Sequence, residues 1–219
     1  TLFPNWYMKR LERMIEFVMY YTKPDGTAPQ IGDNDDGRLH ILSNYGNENK
    51  LNHSYLLSIG AVLFRPADFQ MTGGEFHEEA FWLLGKDGLE RFNSIPKVKP
   101  QLPSKVFPDG GIYLMRKDDS YMAINCGPNG QNGNGGHAHN DKLSFELYAG
   151  DKTLIVDPGT YVYTASSEMR NLFRSTAYHN TVVVDQTEQN RFIPWNLFSM
   201  RSDAIVTVNR WTTTPEYDF

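Results

Sequence analysis

Residues 132–150 read NGNGGHAHNDKLSFELYAG. A Gly/Asn run ends at Gly136. His137, His139 and Asp141 then take alternate positions ahead of Leu143, Phe145 and Leu147. Residues two apart share one face of a strand, so the pattern predicts a strand with three ionisable groups on the face that next enters a core. Two imidazoles so placed can grip one metal ion. Alternatively, one can bind metal while the other moves protons, or both can be half-exposed polar residues at a strand start.

The same texture continues on either side. Upstream, GIYLMRK (111–117) and YMAINCG (121–127), and downstream TLIVDPG (153–159), NTVVVDQ (180–186) and AIVTVNR (204–210), are short β-branched or aromatic runs, most of them set apart by turn residues. That spacing predicts an antiparallel sheet or sandwich, and YAGDKT (148–153) reads as a hairpin connection.

Nearer the amino terminus the period changes. Pro4 suits the opening turn of a helix, and Leu11, Met14, Ile15 and Val18 recur at i, i+3, i+4 and i+7. KPDGT (23–27) reads as the turn that stops this helix. Residues 51–64 and 75–85 read as two more helices, the last closed by Gly85 as a C-cap. Residues 94–110, rich in proline and lysine, read as a linker. The fold class is therefore α+β and multidomain: helices over 1–93, a linker over 94–110, and an antiparallel β domain over 111–219.

Composition narrows the function. With 219 residues, 40% hydrophobic and 21% charged, the chain is long enough to bury a sizeable core. Net charge is −5 and no block of Lys and Arg stands out, which argues against a nucleic-acid footprint. A single cysteine, Cys126, excludes an internal disulfide and a Cys-based zinc knuckle. No uncharged apolar run approaches the roughly 18 residues of a membrane span. Aromatics make up 13% of the chain, which suits a large aromatic core or sugar-stacking surfaces. The start at Thr1, without Met or a signal peptide, and the stop at Phe219 read as cuts through a longer protein.

Two further positions bear on the histidines. Asp157 ends an apolar run ahead of Pro158 and Gly159, where it can also be a turn former. His179 enters the next apolar run. His139, Asp157 and His179 would together supply two nitrogens and one oxygen, the usual open zinc arrangement once water is added; other divalent metals suit it too. GDNDDGR (32–38) resembles a calcium loop, but its glycine falls one place early and Asn44 stands where the closing Glu belongs. H-E-x-x-H, G-x-S-x-G and phosphate loops are absent from the sequence. Arg38, Lys142, Arg170, Arg174 and Arg191 lie near these motifs; guanidinium groups grip carboxylate and sulfate bidentately, and they also form ordinary ion pairs. Tyr161 and Tyr163 follow the Asp157 turn as candidate sugar platforms, proton carriers or plain strand residues.

GGHAHNDKLSFELYAGDKTLIVDPGTYVY (135–163) and RSTAYHNTVVVD (174–185) resemble the β-domain signature of the heparinase II/III-like polysaccharide lyases. PDGTAPQIGDNDDGRL (24–39) is similar to the loop near the end of that family's helical toroid. The resemblance implies an incomplete (α/α) toroid followed by an antiparallel β-sandwich, of which this chain would hold the last toroid helices. It implies β-elimination on uronate-containing polysaccharides, with an acidic polysaccharide and the missing toroid helices as partners. It implies His137 as the histidine near the reacting sugar, Tyr161 as a candidate substrate contact, and His139, Asp157 and His179 as ligands of a zinc that is mainly structural. Arg38, Arg170 and Arg174 become candidate grips for acidic substrate. A bacterial periplasmic or extracellular location goes with this reading. The family's catalytic tyrosine would lie upstream, so the fragment alone is expected to be inactive. The rival readings are a non-catalytic carbohydrate-binding or assembly module in polysaccharide synthesis, and a metal-dependent oxygenase or hydrolase.

Overall fold

The amphipathic stripe near the amino terminus does form a helix. In the computed structural model, which describes residues 2–34, 37–38, 40–42, 49–64, 67–98, 101–193 and 195–219, α1 spans Asn5–Tyr21 with Pro4 at its N-cap. Ile15, Val18 and Met19 are its buried residues, while Met14 of the expected stripe faces outward. The KPDGT turn ends the helix as expected: Gly26 N–H donates to the Lys23 carbonyl, and Asp25 Oδ1 accepts from the Thr27 N–H and hydroxyl.

The chain divides into two compact units: Thr1–Ala28 with Asp36–Leu102, and Pro29–Asp35 with Pro103–Phe219. The first holds α1, α2 (Ser54–Phe64), α3 (Ala67–Gly73) and α4 (Glu78–Asn93). Its core gathers Ile15, Val18, Met19, Leu57, Ala61, Val62, Phe69 and Phe92. Gly85, expected to close the third helix, does adopt φ 61, but the chain resumes helical geometry beyond this kink and runs on to Asn93. A β-carbon disfavours that backbone region, so glycine permits the break.

The second unit is built on a five-stranded antiparallel sheet in the order β1 (Lys105–Phe107), β2 (Ile112–Lys117), β3 (Ser120–Asn125), β4 (Phe145–Ala149), β5 (Lys152–Ile155). β1 comes from residues expected to be linker. A smaller sheet pairs β6 (Phe192–Ile193) with β7 (Asn196–Met200). The one-turn α5 (Gly130–Gly133) falls between β3 and β4 in the chain, and α6 (Ser167–Phe173) between β5 and β6. The β4–β5 hairpin turns at Gly150 and Asp151, both at positive φ, as a tight hairpin demands.

The pleat corrects the expected core face. The buried positions of β4 are Glu146 and Tyr148, in register with Ala123 and Tyr121 of β3. Phe145 and Leu147 are half-buried, and Leu143 is 54% exposed. Leu143 has φ 61, which breaks the extended backbone, so alternation starts only at Phe145. Glu146 can be buried because its Oε1 accepts the Gln30 N–H at 2.7 Å. The runs at 180–186 and 204–210 were also expected as strands. Among the described residues neither joins a sheet, and Val182, Val184 and Ile205 are exposed. β-branched composition favours extended backbone, but a strand needs a partner ladder.

Candidate functional site

His137, His139 and Asp141 lie in the long loop between β3 and β4, not in a strand. His137 has φ 55, a conformation that costs a non-glycine residue on the order of 1–3 kcal/mol and persists only where its surroundings enforce it. The enforcement is visible. Its N–H donates to the Phe198 carbonyl of β7, and its own carbonyl accepts the Asp33 N–H, both at 3.0 Å. Gly32 allows the second contact, since a β-carbon there would sit 2.8 Å from the His137 carbonyl oxygen.

Asp33 belongs to the Pro29–Asp35 excursion into this unit, and its side chain is fully buried. Its Oδ2 accepts from His137 Nδ1 at 2.9 Å and from Arg170 Nη2 at 2.6 Å. Its Oδ1 accepts from Arg170 Nη1 at 2.5 Å, His139 Nε2 at 2.8 Å and the Thr160 hydroxyl at 3.3 Å. Burial alone would raise the carboxyl pKa. Hydrogen bonds and charge from His139 and Arg170 outweigh it and hold Asp33 at about 2. A carboxylate only accepts, so His137 carries its proton on Nδ1 and His139 on Nε2. The His137 side chain remains 53% exposed.

The expected metal trio is gathered in part. His179 Nδ1 donates to Asp157 Oδ2 at 2.6 Å, and the rings of His139 and His179 lie 5.2 Å apart. Burial works against the charged imidazolium of His179, but the Asp157 hydrogen bond and charge, with Asp141 and Glu188, raise its pKa overall. His139 Nδ1 and His179 Nε2 are buried without a hydrogen-bond partner. Buried polar atoms are normally satisfied, and these two lone pairs are of the type that binds zinc. Asp157 holds His179 as carboxylates hold metal-binding imidazoles. As the side chains stand, no three His, Cys, Asp or Glu groups among the described residues form a metal-holding cluster.

Asp141 anchors the loop, accepting from the Gly32 N–H and from Asn125 Nδ2, both at 3.0 Å. Burial raises its pKa, against the charges of His179 and His139. Lys142 is buried with Nζ on the Gly127 carbonyl at 3.0 Å, and burial lowers its pKa against the pull of Asp141. A cavity of about 280 Å³ opens beside His137 and His139, lined also by Asn125, Gln131 and Asn132.

The arginines correct the sequence expectation. Arg170 is fully buried and committed to Asp33. Arg174 is fully buried as well. Its Nη1 donates to the Leu197 and Ser199 carbonyls, Nη2 to that of Asn196, and Nε to Asn171 Oδ1. Burial, helped by the neighbouring Arg170 charge, pushes its pKa down to about 10. Neither guanidinium is presented to a substrate; both brace the β7 end of the unit. Arg38 lies in the helical unit, where Nη1 meets Glu79 Oε1 at 3.2 Å. Tyr161 is 67% exposed and stacks on Phe173. Tyr163, rather than Tyr161, flanks the His137 ring, with centroids 6.4 Å apart. Asp33 is not among the candidates from sequence: its loop fails the calcium pattern and counts only as part of the family-like stretch 24–39, with nothing local to mark a carboxylate that meets two histidines.

The family profile described as "Heparinase II/III-like, C-terminal" matches residues 99–216, more than half of the chain. The chain belongs to the heparinase II/III-like family. Among its relatives, a heparin-sulfate lyase of Bacteroides stercoris is 29% identical over 85% of this chain and 25% of its own length. Another, from Pedobacter heparinus, is 26% identical over 84% of this chain and 24% of its own. A solved heparinase III gene product superposes with TM-score 0.66 at 23% identity, over 99% of this chain and 28% of that one. A heparan sulfate lyase from Pedobacter heparinus superposes with TM-score 0.58 at 22% identity, over 85% and 25%. The structural likenesses establish the fold. This heparinase II/III-like chain spans about a quarter of the length of the relatives it matches. Among the described residues no helix is long and apolar enough to cross a membrane.

Proposed function

We propose that this chain is the C-terminal part of a polysaccharide lyase that cleaves uronate-containing polysaccharide by β-elimination. The observation that carries the reading is His137: half-exposed, at φ 55, with Nδ1 held by a buried carboxylate. Such an imidazole keeps the Nε2 lone pair for a proton on a ligand. The relatives named heparin-sulfate lyase support a glycosaminoglycan-like substrate; an alginate-like acidic polymer is the other member of the proposed substrate class.

The reaction removes the C5 proton of a uronate, forms the C4–C5 double bond and expels the O4 leaving group, which takes up a proton. The charge that develops on the uronate carboxylate needs a positioned donor or cation. His137 serves as base for one C5 epimer, and Tyr161 offers an exposed ring to the sugar. The catalytic tyrosine and the remaining cleft come from toroid helices outside this chain, so the fragment is inactive alone. His139 and His179 would hold zinc through their two unpartnered ring nitrogens, while Asp157, expected as the third ligand, grips His179 Nδ1 as these side chains stand. Zinc would supply a fixed positive charge tying the β3–β4 loop to the turns at Asp157 and His179. A periplasmic or extracellular site of action goes with a polymeric substrate.

The test is the ultraviolet absorbance of unsaturated uronate product from the full-length protein against heparin, heparan sulfate and alginate. Product from any of them, lost in His137→Ala, supports the reading. No product from any of these polymers, with polymer binding retained, would replace it with a non-catalytic binding module.

A further inference from the structure

We infer that Asp33 is the positioning residue of the site: it fixes both the ring orientation and the tautomer of His137. The inference rests on the lyase reading for the role of His137, but its geometry stands apart from that reading. Asp33 holds His137 at two points. Its backbone N–H donates to the His137 carbonyl at 3.0 Å, and its Oδ2 accepts from His137 Nδ1 at 2.9 Å. One contact restrains the left-handed backbone, together with the bond to the Phe198 carbonyl, and the other restrains the ring, so Asp33 acts on both main chain and side chain.

The carboxylate is itself held. Arg170 grips both its oxygens, and the Thr160 hydroxyl and His139 Nε2 add to Oδ1. The Arg170 guanidinium lies against the rings of Tyr163 and Phe198, at 5.4 and 5.6 Å from their centroids, and these same rings flank His137. Asp33 therefore has little freedom to turn, and a rigid acceptor at Nδ1 is what selects one tautomer of a neutral imidazole. With Nδ1 protonated, Nε2 carries the lone pair. A base that must meet a C5 proton gains from having that lone pair set before substrate arrives. Asp33 touches no reacting atom in this arrangement, so its effect passes through His137.

The decisive measurement is nitrogen NMR of the full-length protein labelled at histidine, with His137→Ala used to assign the signal. The expected spectrum shows protonated Nδ1 and unprotonated Nε2 for His137 in the wild type, and a mixture of tautomers in Asp33→Ala. A wild-type His137 protonated on Nε2 would overturn the inference, and needs no variant at Asp33 to be seen. In the lyase assay, Asp33→Ala should lower kcat about 100-fold with KM changed less than about threefold. In a His137→Ala background the same substitution should add almost nothing. Equal losses from Asp33→Ala in both backgrounds would mean a structural role only and reject the proposal. Absence of lyase product from the wild type would sink the lyase reading, while the tautomer spectrum would still decide whether Asp33 orients His137.

Discussion

Asp33 and Arg170 meet through two parallel hydrogen bonds, Nη1 to Oδ1 at 2.5 Å and Nη2 to Oδ2 at 2.6 Å, with both side chains wholly buried. They stand 137 positions apart in the chain. A fork of this kind depends on planar geometry as well as charge. The pair joins the Pro29–Asp35 excursion to α6, and its carboxylate also holds two histidines of the β3–β4 loop.

Arg170→Ala should therefore leave a buried carboxylate without its main counter-charge and destabilise by about 3–5 kcal/mol. Arg170→Lys keeps a charge but loses the fork, and should fall between this variant and the wild type. Denaturant unfolding of the full-length protein followed at the transition of this unit checks the order. Equal stability of all three would show that the ion pair contributes nothing.

Purified full-length protein should carry stoichiometric zinc by elemental analysis, and His139→Ala or His179→Ala should lose it. Chelation should lower the unfolding temperature of the wild type and leave that of either variant unmoved, because metal that binds only the folded state stabilises it. Metal-free wild type of unchanged stability would remove zinc from the site.

In the helical unit, a β-carbon on Gly60 of α2 would lie 2.6 Å from Ile15 Cγ2 and 3.1 Å from Phe69 Cδ2. Alanine is the better helix former by up to about 1 kcal/mol, but overpacking a core costs about 1–3 kcal/mol. Gly60→Ala should be net destabilising, since Ile15 and Phe69 are themselves buried. Thermal unfolding reads the sign, and a gain in stability would mean that α1 yields to the added methyl.

Asp203 offers a pH test away from the histidines. Its carboxyl accepts from Arg191 Nε and Nη2 at 3.0 and 2.7 Å and from the Arg191 N–H at 2.9 Å, and these bonds bring its pKa down to about 2. The unfolded value is near 3.9. A depressed carboxylate adds stability that is present above the unfolded value and lost as pH falls through the folded one, here between about 4 and 2. Carboxyl carbon NMR should show the low midpoint, and Arg191→Ala should return it to about 4. A midpoint near 4 in the wild type would show that solvent screens the pair.

Much of the molecule could be read locally. The Leu11–Ile15–Val18 stripe, the KPDGT turn, the Gly85 break and the Gly150–Asp151 hairpin depend on residues a few positions apart, where helical period, positive φ and side-chain turns act directly. The HAH, DPG and HNT motifs likewise mark the neighbourhood of His139, Asp157 and His179 by residue type alone. Local pattern misled where partners were distant. VVV at 182–184 has strand composition but no ladder among the described residues, and Leu143 keeps the alternation on paper while its φ of 61 turns it outward.

By itself, then, the sequence determined the first helix, four strands of the larger sheet, the order of helices before sheet, and the residue types that assemble near the site. Tertiary structure alone decided that Asp33 reaches His137 across 104 positions. It also decided that Arg170 and Arg174 are interior braces rather than surface grips, and that Glu146 is a buried acceptor. The physical reason is that burial of a charge and its pairing are settled together, by whichever distant donor or acceptor the fold brings within about 3 Å, and no short-range period encodes that meeting.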